Sequence, residues 1–525
     1  MIRLTTAWRI RLAALAAGLA AGLAHPPFGL LPGLLGYAVM LACADNAGPR
    51  PLRSAFFRGW LAGVGYFSIS VWWVVEAFMV DAAEQGWMAP FALALMSAGL
   101  ALFWGAALWL YRLAGVRGVS RVLVFAGAFA ALEWLRGHLF TGFPWNLPGE
   151  TWRAGSPPSQ AAAAMGAYGL TWLTVAIAAA PALAFDKSPR RRRMIAVGLA
   201  AVALVTLYAA GAWRLAQPLG PPDGPLIRVV QADIDQKDKW RPENLEQIFA
   251  TYLDLTQRGA PGQPDLVIWP EGALPVVIND LMAPGSPYAR RLTQALKPGQ
   301  TLMMGANRAE PRARAETLYF NSLIAFRRVA GGLQISGVYD KHRLVPFGEF
   351  LPLGELATRM GLRSLVHMPG DFAAGPPPRP MTPAGLPAVQ PLICYEALFP
   401  GFTSRATRAG APRPRWILNI SNDSWFGVTS GPLQHLNLAS YRAIEEGAPI
   451  VRATPTGVSA IIDARGEIVP GTRLEMGRAS VIDSRLPPIV RATVYSHWGD
   501  AIFVGMLLIS LLTVVPRWLR RSRAL

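Results

Sequence analysis

The sequence has few cysteines and histidines, and it lacks the short motifs that mark several common classes of active site. Only two of the 525 residues are cysteine and six are histidine. Cys43 lies in an apolar segment and Cys394 in a distant region of ordinary globular composition, which argues against a disulfide between them. The histidines show no HExxH or paired Cys/His spacing, and neither GxxxxGK[ST] nor GxSxG occurs. We therefore expect no metal site and no cofactor.

Long apolar segments account for the hydrophobic content of 52%, which is high for a soluble protein. A membrane-spanning helix needs about 20 mostly apolar residues. Eight segments approach that length, at residues 8–24, 26–44, 56–78, 88–112, 121–137, 161–185, 194–215 and 499–517. The first resembles a secretory signal, but further spans follow it at once, so we expect it to be retained. The prediction is a membrane α-helical bundle of eight spans.

The net charge of +18 can indicate a nucleic-acid partner, but the positions of the basic residues indicate a membrane topology instead. They cluster in alternate loops between the apolar segments and at the C-terminus: Arg50, Arg53, Arg58, Arg112, Arg117, Arg121, Lys187, Arg190, Arg191, Arg192, Arg193, Arg517, Arg520, Arg521 and Arg523. This asymmetry places both termini in the cytoplasm. We expect no nucleic-acid partner.

The topology divides the chain into three predicted parts. Residues 1–219 form a bundle of seven spans, residues 220–495 a globular domain, and residues 496–525 a last span with a basic cytoplasmic tail. Because the globular domain follows the seventh span, it lies on the face opposite the termini. In a bacterium this corresponds to a multi-pass inner-membrane protein with a periplasmic domain.

Two acidic residues, Glu76 and Glu133, lie near the ends of apolar segments. Acids within a membrane can form proton pathways. Here both are close enough to an interface to be solvated, and Glu133 can pair with Arg136 one turn further on. We favour that interpretation.

The globular domain alternates short aliphatic runs with amphipathic segments, which favours an α/β layered fold. Predicted strands begin at Leu226, Asp265, Thr301, Asn321, Leu333, Ala388, Arg415, Ile450 and Ser459, the last covering SAIIDARGEIV. Predicted helices cover residues 244–258, 288–296, 399–409 and 434–446.

Three reactive residues close strand-like runs in this domain. Glu271 follows LVIWP, Lys341 follows ISGVYD, and Cys394 follows AVQPLI. Taken singly, each is more often structural: a surface glutamate, a solvated lysine and a buried cysteine. In a sheet-based fold, however, strand ends converge at one edge, where ligands commonly bind. Glutamate, lysine and cysteine together can perform acyl transfer.

The segments around these residues resemble motifs of the nitrilase superfamily. WPEGALP is similar to its glutamate motif, YDKHRLVPFGEFLP to its lysine motif and LICYEALFP to its nucleophile motif, in the expected order. The resemblance implies an α-β-β-α sandwich.

The rest of the chain narrows the resemblance to the apolipoprotein N-acyltransferase family, which has this domain between seven N-terminal spans and one C-terminal span. HLFTGFPWNLPGETW, QADIDQKDKW and SNDSWFG resemble further segments of that family. The resemblance covers nearly the full length.

The family resemblance implies that Cys394 is the nucleophile, that Glu271 is the general base and that Lys341 stabilises the oxyanion. Further matching positions are expected to orient or gate the site, with structural hydrogen bonding as the alternative: Glu349, Tyr395 and Glu396. Five aromatic residues are expected to bind substrate, with an interfacial aromatic belt as the alternative: Trp240, Phe143, Trp145, Trp425 and Phe426.

The implied reaction takes an acyl chain from a membrane phospholipid and forms a thioester on Cys394. The acceptor is the α-amino group of an S-diacylglyceryl cysteine at a lipoprotein N-terminus. One alternative is a membrane-anchored amidase or nitrilase that uses water as acceptor, and another is a transporter whose globular part only binds ligand. Nothing in the sequence requires more than a monomer.

Overall fold

The computed structural model describes residues 7–46, 48–312, 317–351 and 371–514. The chain divides into two compact units. The helical unit contains residues 1–218, 429–445 and 493–525, and the sheet unit contains residues 219–428 and 446–492. Arg3 and the basic residues from Arg517 onward, which the sequence places in the cytoplasm, lie outside the described residues.

Twelve helices of seven or more residues lie in the described parts of the chain. They are α1 (Ala7–Leu23), α2 (Gly36–Asp45), α3 (Pro51–Ser70), α4 (Ala89–Ala114), α5 (Arg121–Arg136), α6 (Ala162–Ala179), α7 (Arg190–Ala216), α8 (Leu245–Gln257), α9 (Pro287–Ala295), α10 (Phe402–Arg408), α11 (Gly431–Glu446) and α12 (Ala501–Leu512). Shorter helices include Val74–Ala77, Ala82–Gln85, Gln236–Lys239, Ile278–Leu281 and Val494–Trp498.

The sheet unit contains two sheets. The strands are β1 (Leu226–Gln231), β2 (Leu266–Trp269), β3 (Thr301–Pro311), β4 (Thr317–Val329), β5 (Gly332–Asp340), β6 (Val389–Ile393), β7 (Trp416–Ile420), β8 (Ile450–Ala453), β9 (Ser459–Ile462), β10 (Ile468–Leu474) and β11 (Ser480–Arg485). One sheet has the order β11-β1-β2-β3-β4-β5 and the other the order β10-β9-β8-β7-β6. Strands β1, β2 and β3 are parallel, as are β6, β7 and β8.

The strand prediction is confirmed at eight of its nine positions and is wrong at one. The run SAIIDARGEIV is two antiparallel strands, β9 and β10, because Asp463–Gly466 forms a tight turn closed by a backbone hydrogen bond of 3.0 Å. Strand β11 was not expected. It pairs antiparallel with β1, from Leu226 opposite Arg485 to Gln231 opposite Ser480.

Three helical segments are long and apolar enough to cross a membrane: Ala82–Ala114, Pro158–Phe185 and Arg190–Ala216. Shorter apolar helices cover Leu31–Asp45 and Ala501–Leu512. Helix α5 has 16 residues, a length of about 24 Å at 1.5 Å per residue, whereas the hydrocarbon core is about 30 Å thick. The eight predicted spans therefore do not all appear as full-length apolar helices in the described residues.

The helical unit is built around an aromatic core that includes a buried ion pair. Tyr66 packs against Trp104 with ring centroids 4.4 Å apart, and Trp104 packs edge-on against Phe129 at 5.1 Å. Glu133 accepts a hydrogen bond of 2.6 Å from Trp104 Nε1 and pairs with Arg136. The expected pairing is thus confirmed. The expected solvation is wrong, because Glu133 is fully buried and has its partners within the unit.

Helix α11 joins the helical unit through buried polar contacts with the loop that follows α5. Gln434 accepts a hydrogen bond of 2.9 Å from Trp145 Nε1. Tyr441 donates to the Trp152 carbonyl at 2.6 Å, and Arg442 pairs with Glu150 at 3.2 Å. These bonds fix the loop that contains the GFPW segment.

The two sheets of the sheet unit pack face to face. Ile268 and Met303 of one sheet and Ile393 and Leu418 of the other belong to a single buried cluster. The outer face of the six-stranded sheet is covered by α8 and α9, whose Phe249, Tyr252 and Leu292 pack in a second cluster with Trp269. Strand β2 is buried along its whole length, and its successive side chains point alternately into the two clusters, which accounts for both cores.

Gly305 in β3 allows the backbone of the Glu271 segment to lie against the strand. A Cβ atom at this position would lie 2.5 Å from Glu271 Cα and 2.6 Å from the Pro270 carbonyl oxygen. Only a residue without a side chain fits, because both neighbours are backbone atoms that cannot rotate away.

We predict that Gly305→Ala lowers the apparent melting temperature by about 2 °C or more. Overpacking costs about 1–3 kcal/mol, and 1 kcal/mol corresponds to about 2–4 °C in a domain of this size. Gly331→Ala is the matched control, because no atom lies within 4 Å of a Cβ added in that turn. Thermal unfolding of both purified variants in detergent checks this. Equal melting temperatures would contradict the packing argument.

Candidate active site

The three predicted reactive residues lie at the ends of strands in the sheet unit, as expected. Lys341 directly follows β5 and Cys394 directly follows β6, while Glu271 comes two residues after β2. The strands deliver these side chains to one site, where Lys341 Nζ lies 3.3 Å from Glu271 Oε1. The charges of Glu271 and Lys341 both act on the pKa of Cys394, in opposite directions.

Cys394 adopts a left-handed backbone conformation with φ of 49°. It begins a 3₁₀ turn, Cys394–Leu398, immediately after strand β6. For a residue with a Cβ atom this conformation costs about 1–2 kcal/mol. Residues held in this region cluster at active sites, where surrounding structure fixes them. The sharp turn lifts the thiol out of the strand, and Cys394 keeps a small exposed fraction although most of the residue is buried.

Lys341 is the cation of the site, and its side chain is only 1% exposed. Its Nζ atom pairs with Glu349 Oε1 at 2.9 Å as well as with Glu271. Burial disfavours the charge, but Glu271, Glu349 and Cys394 outweigh burial and raise the pKa of Lys341 above its ordinary value. Lys341 therefore stays protonated at any physiological pH.

Asn321 and Asn422 complete the surroundings of Glu271, and sequence reasoning missed both. Asn321 Nδ2 donates to Glu271 Oε1 at 2.7 Å and to Glu349 Oε1 at 2.8 Å. The backbone N–H of Asn422 donates to Glu271 Oε2 at 2.6 Å. Asn321 lies in β4, and no spacing in the sequence connects it with Glu271. Asn422 lies in the segment SNDSWFG, whose sequence does not indicate which side chain its backbone contacts.

The thiol of Cys394 is protonated at rest. Burial raises its pKa, Glu271 and Asp423 raise the pKa further, and the Lys341 charge only partly opposes them. The pKa is therefore well above its ordinary value. A thiol must lose its proton before it can attack, and the carboxylate of Glu271, whose charge acts on this thiol, is a candidate acceptor.

Glu396 connects the turn after Cys394 with the segment after Lys341. Its Oε1 atom accepts hydrogen bonds from Tyr339 Oη at 2.9 Å and from the His342 N–H at 2.8 Å. Its Oε2 atom accepts from the Ile393 N–H at 2.8 Å. Burial raises the pKa of Glu396 to about 7, although the hydrogen bonds from backbone N–H groups act to lower it. These contacts connect the residues on either side of Cys394 with the end of β5.

The other two supporting residues differ in their surroundings. Glu349 contacts Lys341 directly, and its Oε2 atom accepts from the Val345 N–H at 2.8 Å. Tyr395 is buried and packs edge-on against Phe399, with ring centroids 5.1 Å apart. Glu349 is thus part of the charged cluster.

Lys239 is a second buried lysine near Glu271 that sequence reasoning missed. Its side chain is within reach of Gly272, where a Cβ atom would lie 3.1 Å from Nζ. Burial lowers the pKa of Lys239 to about 8, and Glu271 acts in the opposite direction. In the sequence, Lys239 is marked only by its position before Trp240. In the structure, its Nζ atom lies 5.7 Å from the centroid of the Trp240 ring.

The five aromatic residues expected to bind substrate divide between the two units. Trp240, Trp425 and Phe426 are partly exposed in the sheet unit, the last two in the turn Asp423–Phe426 after β7. Phe143 and Trp145 lie in the helical unit, stacked with ring centroids 6.1 Å apart. Trp145 is 2% exposed, so within its unit this ring packs as a core residue.

Comparison with known proteins matches both parts of the chain. The family model for the apolipoprotein N-acyltransferase N-terminal domain matches residues 17–180, and that for carbon-nitrogen hydrolase matches residues 226–481. The apolipoprotein N-acyltransferase of Caulobacter vibrioides is 56% identical over 95% of this chain and 92% of the relative. The chain belongs to the apolipoprotein N-acyltransferase family.

More distant members of the apolipoprotein N-acyltransferase family also match along their length. The protein from Bradyrhizobium diazoefficiens is 36% identical over 98% of this chain and 96% of the relative. Among solved structures, an amidase from Nesterenkonia sp. AN1 is 16% identical with a TM-score of 0.34, covering 53% of this chain and 98% of that chain.

The site contains three kinds of group that together can perform acyl transfer. The thiol can become a nucleophile, the carboxylate can accept a proton, and the ammonium can stabilise negative charge on an acyl oxygen. Lys341 pairs with the carboxylates of both Glu271 and Glu349, so the buried ammonium group has two partners of opposite charge.

We predict that Glu271→Gln lowers the pH at which Cys394 reacts with iodoacetamide by about one unit or more. The negative charge of Glu271 raises the pKa of Cys394, so removing the charge lowers that pKa. The measurement is alkylation against pH, followed by mass spectrometry of the peptide that contains Cys394.

Glu310→Gln is the matched control, because Glu310 is a half-exposed residue of β3 whose charge is screened by solvent and paired with Arg308. It should leave the midpoint unchanged. A midpoint in Glu271→Gln at or above that of the unmodified protein would refute the assigned electrostatics.

Proposed function

We propose that this protein transfers an acyl chain from a membrane phospholipid to the α-amino group of the S-diacylglyceryl cysteine at the N-terminus of an apolipoprotein. The observation that carries the proposal is the buried cluster in which Lys341 bonds Glu271 and Glu349 beside a protonated Cys394. Membership of the N-acyltransferase family supports the choice of an amine, rather than water, as acceptor.

In the first half-reaction, Glu271 takes the proton of the Cys394 thiol while Sγ attacks the ester carbonyl of the phospholipid. Lys341 Nζ stabilises the negative charge that develops on the carbonyl oxygen. The carbon–oxygen ester bond then breaks, and the departing alkoxide takes the proton from Glu271. The products are a lysophospholipid and a thioester on Cys394.

In the second half-reaction, the neutral α-amine of the apolipoprotein attacks the thioester carbonyl. An α-amine has a pKa of about 8, so a useful fraction is unprotonated near neutral pH. The carbon–sulfur bond breaks, an amide bond forms, and Glu271 passes the amine proton to the departing thiolate. Cys394 returns to its thiol form and the triacylated lipoprotein leaves.

The membrane arrangement in this proposal has eight spans with both termini in the cytoplasm. Residues 1–219 form seven spans, residues 220–495 form a periplasmic catalytic domain with α-β-β-α layers, and residues 496–525 form the last span and tail. The alternation of basic loops supports this orientation, and three long apolar helices support membrane insertion. The enzyme acts as a monomer in the bacterial inner membrane.

Substrate binding is assigned to five aromatic residues, Phe143, Trp145, Trp240, Trp425 and Phe426. The partial exposure of Trp240, Trp425 and Phe426 supports a role in contacting acyl chains. Burial of Trp145 supports an indirect role, in which its ring holds the shape of the loop that carries Phe143.

The test uses purified protein in phospholipid vesicles with a synthetic diacylated lipopeptide. The unmodified protein and Cys43→Ala should release lysophospholipid and add one acyl chain to the lipopeptide amine, because Cys43 is buried in the helical unit. Cys394→Ala should lose both activities, by at least about 1,000-fold. After incubation without acceptor, mass spectrometry should find one acyl chain on Cys394.

Three results would count against the proposal. Retained transfer in Cys394→Ala would exclude the thioester route. Release of free fatty acid with no acylated lipopeptide would indicate a hydrolase instead. Activity on a water-soluble amide, with none on phospholipid, would indicate a membrane-anchored amidase.

The orientation is tested with single cysteines introduced into a variant that lacks Cys43 and Cys394. A cysteine at Arg117, in a basic loop, should react with a thiol reagent only after the membrane is made permeable. A cysteine at Arg485, in the catalytic domain, should react in intact spheroplasts. The reverse pattern would invert the proposed topology.

A further inference from the structure

A serine next to the nucleophile lies outside the charged cluster described above. Strands β6 and β7 are parallel neighbours in which Ile393 is paired with Ile420. The residues that follow, Cys394 and Ser421, therefore leave adjacent strands side by side, at the usual strand separation of about 4.8 Å. The N–H of Ser421 donates to the Ala453 carbonyl at 2.9 Å, so the ladder continues to this position.

Ser421 is linked to a buried ion pair that the proposed reaction does not use. Its Oγ atom donates to Asp423 Oδ1 at 2.7 Å. Asp423 Oδ2 pairs with Arg452 Nη2 at 2.5 Å, and neither side chain is exposed. Arg452 also donates to Asn419 Oδ1, and Asn419 Nδ2 donates to the Leu392 carbonyl at 3.0 Å. The network runs from Ser421 back to the strand that delivers Cys394.

The fold accommodates this network closely. A Cβ atom at residue 457 would lie 2.7 Å from Asp423 Cβ and 2.9 Å from its Oδ2 atom, so Gly457 leaves space for the carboxylate. A buried ion pair contributes little net stability, because desolvation offsets its attraction. Its position beside the nucleophile points to a role in orienting Ser421.

We propose that Ser421 is a further catalytic residue whose hydroxyl group hydrogen-bonds to Sγ of Cys394, and that Asp423 and Arg452 are positioning residues that hold this hydroxyl group. The inference rests on the proposed function, since it assigns a partner to the nucleophile of the same site. Ser421 is fully buried, which fits a contact inside the site rather than one with solvent.

The hydroxyl group has one hydrogen atom and two acceptors. With the thiol protonated, its hydrogen is directed at Glu271 and Ser421 donates to Asp423. As Glu271 removes the thiol proton, the hydroxyl group rotates and donates to the thiolate. Asp423 keeps its charge, because Arg452 stays paired with it. No proton passes through Ser421, and after acylation the hydroxyl group returns to Asp423.

The electrostatics of Cys394 agree with this assignment. A side-chain hydrogen bond with Ser421 lowers the pKa of Cys394, as expected for a donor to the thiolate. The charged groups that act on the thiol are Glu271, Asp423 and Lys341. Both carboxylates raise the pKa of Cys394, whereas the lysine lowers it. Two partners therefore favour the thiolate, the charged Lys341 and the uncharged Ser421.

The test measures alkylation of Cys394 by iodoacetamide against pH, together with acyl transfer in vesicles. Ser421→Ala removes the donor, so the alkylation midpoint should move up by about half a unit or more, and transfer should fall by at least about tenfold, which corresponds to 1.4 kcal/mol. Ser421→Thr keeps the hydroxyl group and should restore much of both. The control is Ser424→Ala. It removes a nearby hydroxyl group whose hydrogen-bond partner is the Thr456 hydroxyl group, at 2.8 Å.

Asp423→Asn tests the positioning residues. It removes a negative charge that raises the pKa of Cys394, so the midpoint should move down, opposite to Ser421→Ala, while transfer still falls. If Ser421 and Asp423 had only structural roles, both substitutions would lower activity, but they would not move the two alkylation midpoints in opposite directions. Melting temperatures show whether each variant is folded.

An unchanged midpoint in a folded Ser421→Ala protein would overturn this inference and leave the proposed function intact. Failure of the unmodified protein to acylate the lipopeptide would overturn the proposed function. In that case a shifted midpoint in Ser421→Ala would still establish the contact with Cys394.

Discussion

The structure of the site depends on one buried ammonium group held between two carboxylates. Lys341 bonds Glu271 at 3.3 Å and Glu349 at 2.9 Å, and all three side chains are at most 9% exposed. Two carboxylates that share a buried site repel each other, and the ammonium group between them offsets that repulsion. Burial and Glu271 raise the pKa of the neighbouring Cys394 thiol, and the charge of Lys341 opposes them. The proposed reaction uses this arrangement, with Glu271 as the base and the Cys394 thiol as the nucleophile.

The same interaction connects structural elements that are far apart in the chain. Glu271 uses one carboxylate oxygen for Lys341 and Asn321 and the other for the backbone of Asn422. Asn321 lies in the six-stranded sheet and Lys341 directly follows its last strand, whereas Asn422 follows a strand of the five-stranded sheet. The carboxylate thus fixes the two sheets at the point where Cys394 leaves β6. Gly305 permits this because it has no side chain to displace the Glu271 backbone.

Much of the site could be predicted because strand ends are local features of a sequence. Glu271, Lys341 and Cys394 each follow a short aliphatic run, and the matching strands end where the runs end. Asn321 could not be found in this way, since it lies inside β4 and its role depends on which strands are neighbours. The turn between β9 and β10 was missed because Asp463–Gly466 lies within a run that resembles one strand.

The sequence by itself determined the family and the alternation of apolar and globular regions, and it singled out the three residues that the structure brings to one site, because motif order and hydropathy are properties of the chain alone. Only the tertiary structure decided that Glu133 is buried with Trp104 and Arg136, that α11 packs in the helical unit, and that Ser421 lies beside Cys394. These facts depend on strand register and on helix packing. Both arise from contacts between residues far apart in the chain, which no local pattern records.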